Sequence, residues 1–138
     1  MKAEELRLGN LVEYQINDTI TDRKPYYGEN IYGVAMILDD SIKIDLGFGA
    51  LQRVMLDDPK LKPVLLNEKW LLKYGMEQNQ MLSREFNFRK KILTMINHYE
   101  DGWLFLIDYW RVGKMIKYVH QFQNLCFVNT GSELQAVE

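Results

Sequence analysis

Ile116-Lys117-Tyr118-Val119-His120-Gln121-Phe122-Gln123-Asn124-Leu125-Cys126-Phe127-Val128-Asn129-Thr130-Gly131-Ser132-Glu133-Leu134 is the stretch whose reading decides the fold. A helix from Tyr118 to Asn129, stepped at ~100° per residue, brings Tyr118, Val119, Phe122, Leu125 and Cys126 within about 120° of one another. That stripe predicts a helix lying on an apolar core. Val128 extends one flank, and His120, Gln123 and Asn124 fall outside it. Thr130-Gly131 ends the pattern, because glycine after the last turn takes the left-handed conformation that closes a helix.

Phe127 breaks the stripe. It points away from it, beside His120 and Asn124 at the i, i+4, i+7 spacing. Either a second layer covers that face, or His120, Asn124 and Phe127 form an exposed contact patch for a protein partner.

Upstream of this helix the pattern is mostly strand. Leu11 to Ile16 reads as a strand. A long polar segment follows, Asn17 to Asn30, carrying Tyr26 and Tyr27; loops of this length in a compact domain are often functional. Either the segment folds back onto the sheet, or the two tyrosines are an aromatic contact at a loop tip. Ile31 to Leu38 is a second strand. Ile42, Ile44 and Leu46 alternate with Lys43 and Asp45, the period of a half-buried strand. Gly47-Phe48-Gly49 is a turn or bulge, and it lacks the lysine and the strand–loop–helix setting of a phosphate loop. Leu51 to Leu56 and Leu61 to Leu66 complete the set. These short strands suggest a small, strongly bent sheet of SH3-like barrel type, by analogy.

Asn67 is placed to cap a short helix, Glu68 to Tyr74, with Leu66 and Leu71 as a hydrophobic staple and Gly75 as its stop. Met76 to Glu85 reads as a loop or hairpin edge. Phe86 to Tyr99 looks like one long strand, Glu100-Asp101-Gly102 a tight turn, Trp103 to Trp110 a return strand, and Lys114 to Lys117 a third. The expected class is α+β. Residues 1–66 form the small barrel-like part. Residues 67–138 hold a linking helix and an antiparallel meander with one packed helix, the two parts sharing one core.

Composition narrows the function. The chain has 138 residues, 47% of them apolar, enough for a full core and against disorder. A net charge of −2 argues against a strong sequence-independent grip on nucleic acid, although a local basic patch is compatible with it. The lone Cys126 lies on the expected stripe and reads as a buried thiol in a reducing compartment. No apolar run approaches the ~20 residues of a membrane span, and the N-terminus has no signal-peptide core. A cytoplasmic protein with no membrane partner is expected.

Catalytic machinery is sparse. His98 and His120 are the only histidines, and no HxxxH, CxxC or HExxH spacing occurs, so neither a metal nor another cofactor is expected. Cys126 and His120 point about 120° apart on the helix, a poor nucleophile–base pair. Asp39-Asp40 and Asp57-Asp58 sit in turns, where aspartate bonds the local backbone. A small enzyme using His98 or His120 with a carboxylate is the remotest reading. The strongest charge feature is Arg84 with Arg89, Lys90 and Lys91, around Phe86 and Phe88. Basic residues beside aromatics are how single strands are held, and the same pattern arises when phenyl groups enter a core and cations coat the far face.

Three segments carry a family resemblance. They are Leu6-Arg7-Leu8-Gly9-Asn10-Leu11-Val12; Pro63-Val64-Leu65-Leu66-Asn67-Glu68-Lys69-Trp70-Leu71-Leu72-Lys73-Tyr74-Gly75; and Ile116 to Phe127 closed by Thr130-Gly131-Ser132-Glu133-Leu134. In order and rough spacing they resemble a group of uncharacterised proteins of phages and mobile elements of anaerobic gut bacteria. Asn67 stands where threonine is usual in that group, and Cys126 where an aromatic residue is common. The resemblance implies origin and shared architecture, with no catalytic or binding residue. The leading expectation is a non-enzymatic accessory protein that binds a protein partner or itself as a homodimer. A single-stranded nucleic-acid-binding module is the alternative.

Overall fold

The computed structural model describes residues 1–16, 30–88, 93–108, 110–131 and 133–134. The protein is α+β, with two antiparallel sheets and few helices. It divides into two compact units, Met1–Val64 and Leu65–Glu138.

The first unit begins with a left-handed turn at Gly9 (φ +88°), whose N–H donates to the Val34 carbonyl at 2.8 Å. Asn10 is buried beside it and accepts the Arg7 N–H on Oδ1 at 2.7 Å. That turn feeds β1 (Leu11–Tyr14), followed by β2 (Ile31–Ile37), β3 (Ser41–Gly47), β4 (Ala50–Met55) and β5 (Leu61–Pro63). The order is β4-β3-β2-β1-β5, all antiparallel. Alternation sets the faces: Ile42 and Ile44 of β3 are buried while Asp45 is exposed. Val12, Tyr14, Val34, Ile42, Ile44, Val54, Leu6 and Leu61 make the core.

The aspartate pairs act as turn residues. Asp58 accepts the Lys60 N–H at 2.9 Å and the Tyr14 hydroxyl at 3.1 Å. Asp40 meets the Arg53 guanidinium at 3.3 Å. Hydrogen bonding from Ser41, with Arg53 adding to it, holds the Asp40 carboxyl below the usual carboxylate range.

The second unit holds α1 (Glu68–Lys73), β6 (Glu77–Gln78), β7 (Glu85–Phe88), β8 (Leu93–Asn97), β9 (Trp103–Ile107), β10 (Trp110–Arg111) and α2 (Val119–Thr130). The sheet is a meander, β10-β9-β8-β7-β6. Asn67 caps α1, its Oδ1 accepting the Trp70 N–H at 3.1 Å. Gly131, at φ +72°, closes α2 by donating to the Phe127 carbonyl at 2.8 Å. Phe122 of α2 knits the layers. Its ring lies 5.9 Å from Tyr74 beside α1 and 6.2 Å from Phe105 of β9.

Several expectations need correction. Phe86 to Tyr99 is not one strand: β7 and β8 pair antiparallel, Phe88 opposite Leu93. Arg89, Lys90 and Lys91 fall between them, outside the described residues, and contain none of the glycine, proline or asparagine that usually marks a turn. The return strand stops early at Asp108 (φ +50°), and Trp110 pairs back on Ile107. Lys114 to Lys117 is not a strand but contributes one bridge, Trp103 to Ile116.

The buried face of α2 is also rotated. Val119, His120, Phe122, Gln123 and Cys126 are buried, which turns the face by roughly 70° from the expected stripe. Hydropathy assigns His and Gln to the surface, and here both face the core. His120 is only 3% exposed, Asn124 is half-buried, and Phe127, on the flank, is 36% exposed. Val128, 74% exposed, takes the outward position expected of Phe127. The three residues expected as an exposed patch therefore do not form one.

Candidate functional site

Three of the exposed apolar side chains of the second unit, Met81, Leu82 and Tyr99, stand on two loops, apart from Leu65, Leu72, Trp110, Phe127 and Val128. The first, between β6 and β7, is pinned by Asn79, whose Oδ1 accepts the N–H of Met81 at 2.9 Å and of Leu82 at 3.3 Å. Gln78 Nε2 donates to the Ser83 carbonyl at 2.7 Å from the other side. This frame leaves Met81 92% exposed, with Leu82 also in solvent.

The second loop joins β8 to β9 through a 3₁₀ turn, Tyr99–Asp101. Asn97 Oδ1 accepts the Tyr99 N–H at 2.8 Å, and Gly102 donates to the Tyr99 carbonyl at 3.2 Å. Tyr99 takes a left-handed backbone (φ +58°), uncommon for a bulky residue, and is 72% exposed. Gly102 beneath it is buried at φ +106°, where any Cβ would collide with the Ile116 carbonyl. The bridge between Trp103 and Ile116 therefore closes only on glycine.

The two loops meet. The Arg84 guanidinium lies over the Tyr99 ring, 5.7 Å from its centre, a cation–π contact. Between them is a hollow of about 380 Å³ lined by Met81, Leu82, Ser83, Arg84, Glu85, Ile96 and Tyr99. A second hollow of about 310 Å³ lies on another side of Tyr99, with Leu65, Asn67, Glu68, Glu100, Trp103 and Lys117 among its walls.

Among the described residues of the first unit, one large apolar side chain is almost fully exposed. Phe48, at the tip of the β3–β4 turn, is 97% exposed and left-handed (φ +54°), between Gly47 and Gly49, both also at positive φ. Asp45 Oδ1 accepts the Gly47 N–H at 2.7 Å and braces the tip.

Of the residues singled out by sequence, Arg84 lies in this site. Tyr26, Tyr27, Arg89, Lys90 and Lys91 lie outside the described residues. His120, Asn124 and Phe127 belong to α2 and line neither hollow. His98 is exposed, and neither hollow is lined by a histidine. Among the described residues no three or more His, Cys, Asp or Glu side chains stand close enough to hold a metal ion. Cys126 is a buried free thiol. The first hollow brings together apolar side chains, an aromatic face, the Arg84 guanidinium and the Glu85 carboxylate.

Tyr99, Met81 and Leu82 were missed by sequence reasoning because Tyr99 read as the end of a strand. The signal was Asn97, whose side chain favours a turn two residues on, followed by Asp101-Gly102.

Comparisons with protein-family models, with curated proteins and with solved structures gave no match. Among the described residues no helix is long and apolar enough to cross a membrane.

Proposed function

We propose that the protein is a non-enzymatic accessory protein of a phage or mobile element, working in the cytoplasm, that docks a protein partner on the surface around Tyr99. One observation carries the reading. A large aromatic residue is held in a strained, left-handed conformation, mostly in water, on the rim of a hollow where Met81, Leu82 and Ile96 stand beside Ser83, Arg84 and Glu85. Strained residues cluster where a surface is used, and tyrosine with a stacked arginine is the typical composition of a binding hot spot. The strand order of the first unit, β1 between β2 and β5 with a β2-β3-β4 meander, supports the SH3-like barrel as part of this reading. The test is quantitative affinity capture with the wild type against Tyr99→Ser and Met81→Ser. Proteins retained by the wild type should be depleted by both variants; identical captured sets would refute the reading.

Arg84 on the Tyr99 face also favours a second reading, a weak single-stranded nucleic-acid site, because a cation beside an exposed ring suits a stacked base. Fluorescence anisotropy of a short labelled single strand at low salt decides it. A salt-sensitive rise lost in Arg84→Ala and Tyr99→Ala supports this reading, and a flat titration removes it.

A further inference from the structure

We infer that the open edge of β4 pairs with β4 of a second copy of the chain, giving an antiparallel two-fold dimer. The inference rests on the first unit alone and does not depend on the surface around Tyr99.

The backbone of a sheet edge dictates what can occupy it. The Leu56 N–H donates to the Asp40 carbonyl at 3.0 Å, and Val54 and Gln52 stand opposite Ile42 and Ile44 in the same register. Peptide groups alternate along a strand, so Leu51, Arg53 and Met55 turn theirs away from β3. No strand lies on that side among the described residues. The Met55 carbonyl accepts the Asp58 N–H at 3.0 Å. The N–H groups of Leu51, Arg53 and Met55 and the carbonyls of Leu51 and Arg53 line the edge. Donors and acceptors alternating in this way are met by another extended strand.

The other edges of the two sheets are protected. β5, β6 and β10 have three, two and two residues, and β5 carries Lys62 and Pro63, residues that blunt a sheet edge. β4 has six residues and neither lysine nor proline. Its outward side chains are apolar on both sides of Arg53, with Leu51 47% and Met55 40% exposed. Arg53 is the one charge on the strand, and it is drawn back toward β3. Its Nε donates to Ser41 Oγ at 3.0 Å, and its guanidinium meets Asp40 at 3.3 Å.

Self-pairing follows from the same features. Among the described residues β4 is the one long unguarded edge, so the strand that a second copy can offer is again β4. A two-fold axis through Arg53 lets each Arg53 N–H donate to the Arg53 carbonyl of the other copy. It also sets Leu51 of each copy opposite Met55 of the other, an apolar pair on either side of the axis. Like charges directly opposite one another disfavour pairing, and Asp40 offsets this by holding each guanidinium back. The contact is isologous, so it uses up both edges and stops at two copies.

The experiment is sedimentation of the full chain over a concentration series, with amide hydrogen exchange read residue by residue at both ends of the series. A monomer–dimer equilibrium is expected. Exchange at Leu51, Arg53 and Met55 should slow as the dimer fills, while Gln52 and Val54, already turned to β3, should not change. Arg53→Pro removes the N–H at the axis and puts a ring in the way of the second strand, at an edge position that tolerates proline. It loses two hydrogen bonds across the axis and should weaken association by about tenfold or more. Arg53→Ala keeps the N–H and removes the like charge, and should dimerise at least as well as the wild type. Leu51→Lys, a charge of the kind that guards natural edges, should also stay monomeric; urea midpoints show which variants are folded. A monomeric wild type up to millimolar concentration overturns the inference. So does association that persists in folded Arg53→Pro or Leu51→Lys, that grows beyond two copies, or that leaves exchange at Leu51, Arg53 and Met55 unchanged.

Discussion

The Tyr14 hydroxyl donates to Oδ2 of Asp58 at 3.1 Å, tying β1 to the turn before β5. Burial, with the Asp58 carboxylate adding to it, pushes the Tyr14 pKa above the usual tyrosine value. The folded state therefore keeps this proton at a pH where the unfolded chain has begun to lose it. The contribution is whole below about pH 10 and is lost as pH rises through the folded pKa. Tyr14→Phe should cost about 1 kcal/mol at neutral pH. Urea unfolding at neutral and at strongly alkaline pH should show the gap between wild type and variant shrinking as pH rises; a gap independent of pH would contradict it.

Phe122 touches both Tyr74 and Phe105 and is almost fully buried. Phe122→Ala should destabilise the chain by about 3–5 kcal/mol, since the cavity adjoins two elements that cannot both collapse into it. Val128→Ala on the same helix should stay within about 0.5 kcal/mol. Chemical denaturation of the two variants separates them.

Gly102→Ala should be among the most damaging single changes in the second unit, roughly 3 kcal/mol or more, from the positive φ and the collision with Ile116 together. Gly49→Ala has a positive φ but open space around it, so it should cost only the strain, about 1 kcal/mol. Thermal melts of both variants test the difference.

Tyr99→Gly and Phe48→Gly should leave stability unchanged or raise it by up to about 1 kcal/mol, because glycine adopts the left-handed backbone freely. An unfolding midpoint clearly lowered by either change would show that the ring supports the fold and, for Tyr99, would weaken the case for surface contact.

Elements with a local cause were legible in the sequence. Ile42, Ile44 and Leu46 announce β3 by alternation; Asn67 and Gly131 announce a helix start and a helix end. What escaped was decided at a distance. His120 and Gln123 are buried because the core meets α2 on that side, which no hydropathy scale encodes. The residues between β7 and β8, Arg89 to Ile92, include none of the glycine or asparagine by which a sequence reading divides one strand from the next. Tyr99 owes its display to Gly102, which is glycine only because Ile116 returns fourteen residues later to lie against it. The contact residues expected on α2 were placed by helical phase alone, and a rotation of the helix moved His120 into the core.

Asn79 holds the N–H groups of Met81 and Leu82 before any partner arrives. Docking there does not have to wait for a loop to order. The heat-capacity change on association should reflect only the surface removed from water, without a coupled-folding contribution. Encounter rates should be those of two preformed bodies, and differences in lifetime between variants should lie in dissociation.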